Sequence, residues 1–237
     1  MQTDRLSSVQ SRGREIDAGL RNYMNNIYQK MTLGVLVTAI TSLVVGSSPT
    51  LLQLFLGGPQ RYIIIFAPLA IVWFGFNPMR MKASQLMLAF FGISVAYGIS
   101  FASIAVLATA DPVFGVNVAK AFFVATAMFA GLSIYGYTTK TDLSPIRTFA
   151  VMGIWGLIAA SVMNIFFQSS VMSNVIAGAG IVLFSGITIW QTQAMKEMYS
   201  PAMGKEFMER MAWAAALNLY ISFIALFQYI LHFMNQR

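Results

Sequence analysis

The stretch VMSNVIAGAGIVLFSGITIWQTQAMKEMY, Val171 to Tyr199, decides what kind of molecule this chain forms. It holds no charged side chain before Lys196. A helix needs about 20 mostly apolar residues to cross a bilayer. The run from Val171 to Gln193 therefore reads as a membrane span, and Lys196 as its first contact with water. Gln191 and Gln193 stand at the margin, where a span either ends or carries a polar site.

Composition extends this reading to the whole chain. Of its 237 residues, 57% are hydrophobic and 10% charged, and the mean hydropathy is +0.68. A soluble domain is about 25% charged. Most of the chain must lie in lipid. Seven spans are expected, at about 28–47, 62–76, 83–110, 118–138, 145–168, 171–193 and 212–233. The second is short unless the chain before Pro59 contributes. Residues 1–27 form a polar, basic arm ahead of a single membrane domain over 28–237. That arm has no apolar core of the signal-peptide type. Turn chemistry marks the breaks: GGPQ at Gly57, NPMR at Asn77, Asp111–Pro112 and SPAMG at Ser200. In TDLSP, Ser144 is expected to cap a helix that begins at Pro145.

Basic residues cluster on cytoplasmic loops. With the N-terminus inside, twelve of the fifteen lysines and arginines fall on the inner side, leaving Arg61, Lys120 and Arg237 outside. The expected orientation is N-terminus cytoplasmic and C-terminus outside. The base then faces an anionic leaflet, and no nucleic-acid partner is expected. Arg80, after the second span, reads first as such a topology signal.

Ionisable groups within a span mark function, and few are found. All eight acids fall in termini or connections, and Lys120 lies close enough to a span end to snorkel. The last span has no lysine for a Schiff base. No paired aspartates suggest an aspartyl protease, and the one histidine, His232, lies at the far end of the chain. With no cysteine either, no zinc site, cofactor or enzymatic chemistry is expected. Neutral polar residues remain. Ser161, Asn164 and Gln168 share one helical face, as do Ser185, Thr188 and Thr192, with Gln191 one step round; Asn218 and Ser222 share a third. They act either as hydrogen-bond glue between helices or as a polar path through Asn164, Gln168, Thr188, Thr192 and Asn218. Gly92, Ala96 and Ser100, and the glycines at 153, 156, 178 and 180, mark close helix packing.

The run AGLSIYGYTTKTDLSP, Ala130 to Pro145, resembles a motif of the Bax inhibitor-1 family of membrane proteins. MGIWGLIAASVMNIFFQSS from Met152, WQTQAMKEMY from Trp190 and AALNLYISFIALF from Ala215 resemble its fifth, sixth and seventh helices. The similarity runs from about Gly19 to the end, and the style is that of the alphaproteobacterial branch. It implies an all-α bundle with six helices around a central one, in a bacterial inner membrane. It also implies a leak of calcium or other cations, controlled by a pair of aspartates that share a proton. Those aspartates align with Gln191 and Ser222, and a family asparagine aligns with Ala225. Neighbouring carboxylates titrate as a coupled pair; glutamine and serine do not. They are weak calcium ligands but can hydrogen-bond each other. Where the pair is acidic, a cation such as Arg80 could engage it. The resemblance leaves two functions: a leak whose proton control is lost, or a non-conducting regulator that binds another membrane protein, such as a quality-control protease.

Overall fold

A computed structural model describes the backbone of residues 2–235 and the side chains of residues 17–235. Nine helices and no strand occur among the described residues. They are α1 (Gln2–Ser47), α2 (Pro49–Leu56), α3 (Gln60–Gly75), α4 (Ala83–Ser100), α5 (Ala102–Ala110), α6 (Pro112–Thr138), α7 (Ser144–Phe167), α8 (Ser170–Met198) and α9 (Lys205–Met234). Six stretches are long and apolar enough to cross a membrane, or seven if α2 and α3 form one bent span. The chain is an all-α membrane bundle.

The helix ends follow from local chemistry. Ser48 accepts a hydrogen bond from the Leu51 N–H at 3.4 Å, and Pro49 opens α2. The first break therefore falls at Ser48 rather than at GGPQ, which instead separates α2 from α3. That pair is bent by 75°, and the chain before Pro59 supplies the length that α3 lacks only if the two helices form one span. Asp111 caps α6 through the Val113 N–H at 2.9 Å, with Pro112 at its first turn. The expected cap at Ser144 is replaced: Ser144 is already helical, and its N–H donates to the Asp142 carboxylate at 2.9 Å. Leu143 takes the N-cap position, and the Asp142 carboxylate, two residues before Ser144, accepts from the first amide of the helix. The expected third span, Ala83–Ala110, stands as one candidate span, with a local interruption at Phe101 between α4 and α5. There Ser42 of α1 donates to the Phe101 carbonyl at 3.1 Å.

The central helix is α9. Of its most apolar stretch 67% is buried, against 11% for α7. It packs against α1, α4, α6 and α8, whereas α3 joins through α4 and α7 through α8. Aromatic rings fill the contact. Tyr220 is fully buried, and Phe90 of α4 meets it edge-on at 5.5 Å between centroids, with Trp213 at the same distance. Within the arm expected at 1–27, residues 2–27 are part of α1, and Tyr23, Met24 and Ile27 belong to the buried core.

Close approach of α6 to α8 depends on Gly136. A methyl group built there would lie 2.4 Å from the Ile189 carbonyl oxygen, a backbone atom that cannot yield. Gly136→Ala is expected to destabilise the protein by about 1–3 kcal/mol, read as a lower melting temperature in detergent. Gly131→Ala on the same helix, where nothing lies within 4 Å, is expected to change it little. Equal melting shifts for the two would contradict this packing.

Candidate functional site: a neutral contact between α8 and α9

The two residues singled out by the family motif meet. Ser222 donates to Gln191 Oε1 at 2.9 Å. Ser222 is 1% exposed and Gln191 half-buried. The bond joins the central helix to α8, its neighbour in sequence. Both groups are neutral, so the contact avoids the cost of placing an unpaired charge in a low-dielectric interior. A neutral interhelical bond of this kind contributes about 0.6–1.7 kcal/mol.

The expected polar path is distributed differently. Thr188 and Thr192 are fully buried, but each hydroxyl donates to the carbonyl one turn back, at 2.8 and 2.9 Å. Such bonds satisfy the hydroxyl donor within its own helix. Gln168 is an exposed left-handed cap at the end of α7 (φ 48°). Asn218 lies on an exposed face of α9. Only Asn164 of these five lines the polar groove between α7, α8 and α9, with Ser161, Ser173, Gln228 and His232. There Asn164 donates to Ser173 at 2.7 Å and accepts from the Ser169 N–H at 3.1 Å, closing the turn between α7 and α8. The groove has a volume of about 490 Å3, and Phe184 and Tyr229 are among its walls. Arg80 is exposed in the connection between α3 and α4. No group of three or more histidine, cysteine or acidic side chains suited to a metal occurs among the described residues.

Gln193 corrects the expectation that the end of α8 simply reaches water. It is 6% exposed. It accepts from the Leu143 N–H at 3.0 Å and donates to the Thr141 carbonyl at 2.8 Å. Lys196 donates to the Tyr137 carbonyl at 2.8 Å. The end of α8 thus holds the connection between α6 and α7, the segment that carries the YGYTTKTDLSP motif.

One ionic site escaped the sequence reading. Lys30 of α1, expected as a topology signal, is 7% exposed and pairs with Glu209 of α9 at 2.8 Å. Asn26 donates to the other Glu209 oxygen at 3.0 Å and accepts from Lys30. The Trp213 ring lies 4.7 Å from the Lys30 ammonium. A second network lies deeper. Thr38 of α1 shares a 2.6 Å hydrogen bond with the Tyr220 hydroxyl and lies 3.0 Å from the Ser94 carbonyl of α4.

Comparison with known proteins places this architecture. The family model described as inhibitor of apoptosis-promoting Bax1 matches residues 20–237. The chain belongs to the Bax inhibitor-1 family. It is 34% identical over 230 residues to RP147 of Rickettsia prowazekii, covering 96% of this chain and 94% of that protein. It is 35% identical to a Caulobacter vibrioides protein, covering 93% and 90% respectively. It is 30% identical to the inner membrane protein YbhL of Escherichia coli, covering 93% and 94%. Family membership accounts for the shared helical plan.

The Lys30–Glu209 pair is unequal, because the Lys30 side chain is 9% exposed and the Glu209 side chain 40%. Removing the acid leaves a buried cation; removing the base leaves a carboxylate that reaches solvent. Glu209→Gln is expected to destabilise by about 3 kcal/mol and Lys30→Met by about 1 kcal/mol. Thermal unfolding of both variants in one detergent checks the order, and the reverse order would contradict it.

Proposed function

We propose that this chain is a multi-pass protein of a bacterial inner membrane and a cation leak of the type its family resemblance implies, with proton control removed from the contact between α8 and α9. The inner-membrane assignment draws on the name of YbhL and on the apolar helices. The twelve-to-three distribution of base supports a cytoplasmic N-terminus. The proposal assigns no enzymatic chemistry. The observation that carries it is the Ser222–Gln191 hydrogen bond, made by neutral side chains where the family resemblance implies an aspartate pair. Two carboxylates at that spacing would hold a proton near neutral pH and release it with a change of charge. A serine and a glutamine keep one charge state throughout. In this reading, calcium or another cation passes without a titrating gate at that contact.

Asp142, within the YGYTTKTDLSP motif, does not supply the missing response. Its carboxyl is held below the ordinary carboxylate range by the Ser144 N–H and then by the Ser144 hydroxyl. A lowered value makes its stabilising contribution complete above the unfolded value of about 3.9. That contribution is lost only as pH falls through the lower folded value. It stays ionised between about pH 5 and 8.

A second reading, a regulator that binds another membrane protein, draws on the length of α1. Its 46 residues extend about 69 Å at 1.5 Å per residue, beyond the roughly 45 Å of a whole bilayer.

Calcium flux into proteoliposomes separates the two readings. The leak reading expects flux above that of empty vesicles and changing less than about twofold between pH 5 and 8, since no proton is exchanged at the contact. Gln191→Asp with Ser222→Asp is expected to introduce a pH-dependent step in the same assay. Wild-type flux no greater than that of empty vesicles at every pH would overturn the leak. Crosslinking in native membranes that recovers one defined membrane protein would then support the regulator.

A further inference from the structure

A large apolar crevice lies away from the contact between α8 and α9. It runs between α1 and α6, with Phe223 of α9 among its lining residues, and has a volume of about 580 Å3. Its chemistry is graded along its length. Arg21, Asn25 and Tyr28 of α1 and Tyr137 of α6 line one end; Val35 and Phe122 line the other. From Arg21 to Val35 the crevice follows α1 for about 21 Å, longer than the roughly 15 Å hydrocarbon depth of one leaflet.

Two further observations point to a ligand. Ser133 lines the crevice, is 6% exposed, and its hydroxyl meets no hydrogen-bond partner. A buried hydroxyl is rarely left unmatched, so a polar atom from outside the chain fits there, one helical turn deeper than Tyr137. Cations also mark the mouth. Arg21 is the single charged side chain lining the crevice among the described residues, and Lys196 reaches the backbone of Tyr137 at 2.8 Å. Basic residues near a membrane surface attract anionic headgroups.

We propose that this crevice binds one anionic phospholipid from the leaflet on the Arg21 side. Its phosphate sits at Arg21, an ester carbonyl accepts from Ser133, and an acyl chain runs along Met31, Val35 and Phe122. The apolar walls exclude a free phosphate as a sufficient ligand, because they leave most of the crevice unfilled.

Native mass spectrometry of the purified, delipidated protein tests this. The probes are phosphatidylglycerol, phosphatidylethanolamine and inorganic phosphate, each added separately. Wild type is expected to retain one phosphatidylglycerol about fivefold more than phosphatidylethanolamine, the factor one basic residue contributes near an anionic surface. Arg21→Gln is expected to remove that preference. Ala130→Trp, at an exposed position lining the crevice, is expected to reduce retention of both lipids. Arg61→Gln, at the start of α3, is expected to leave both unchanged. Wild-type retention in Arg21→Gln and Ala130→Trp would overturn the proposal. So would an equal loss in Arg61→Gln, or inorganic phosphate retained as well as the lipid.

Discussion

A helix buried inside a membrane bundle must find a protein partner for each polar group it carries, because neither water nor lipid is there to supply one. The central helix α9 meets this constraint at three levels. Near one end Glu209 pairs with Lys30 of α1. In the middle the Tyr220 hydroxyl meets Thr38, also of α1. Beside it Ser222 meets Gln191 of α8. These bonds fix the rotation of α9 about its axis, since turning it would strand all three groups. Its apolar faces then meet the rings of α4 and α6. The arrangement of the outer helices follows from where α9 has satisfied itself.

The three contacts differ in what they do. The ion pair is the costliest to break on one side. The Tyr220–Thr38 bond joins α1, α4 and α9 in a network of hydroxyls and carbonyls. The Ser222–Gln191 bond is the most informative about function, because it preserves the union of α8 and α9 without a group that changes charge. At the end of α8, Gln193 and Lys196 add a firm hold on the connection between α6 and α7. The proposed leak therefore works within a frame whose joints are polar and mostly neutral.

Much of this was legible in the sequence. Apolar length announced the spans, and the resemblance of the WQTQ and LYIS runs to family motifs paired Gln191 with Ser222 before any geometry was known. Other features were hidden for physical reasons. Lys30 and Glu209 are 179 positions apart, and each looks like an ordinary end-of-span charge; only the packing of α1 on α9 brings them together. Gln193 reads as an interfacial residue until the fold shows two backbone groups of the α6–α7 connection bonded to it. The stripes of Asn164, Thr188 and Asn218 share helical periodicity, yet periodicity gives a face and not its neighbour. Threonines bonded to their own helix and an asparagine bonded within a turn look the same in sequence as the lining of a path. The shift of the first break to Ser48 and of the start of α7 to Ser144 reflects the near-equal capping strength of adjacent Ser and Asp side chains.

The central claim is that α8 and α9 are joined by a contact that does not respond to protons. Because the chain has no cysteine, Val182→Cys on α8 and Phe233→Cys on α9, both exposed positions, give a uniquely labelled pair. The interspin distance between them, measured by pulsed electron resonance in liposomes across pH 5 to 8, tests the claim directly. The account predicts one distance distribution that stays the same across that range. A second population, displaced by several ångströms and growing as pH falls or rises, would contradict it.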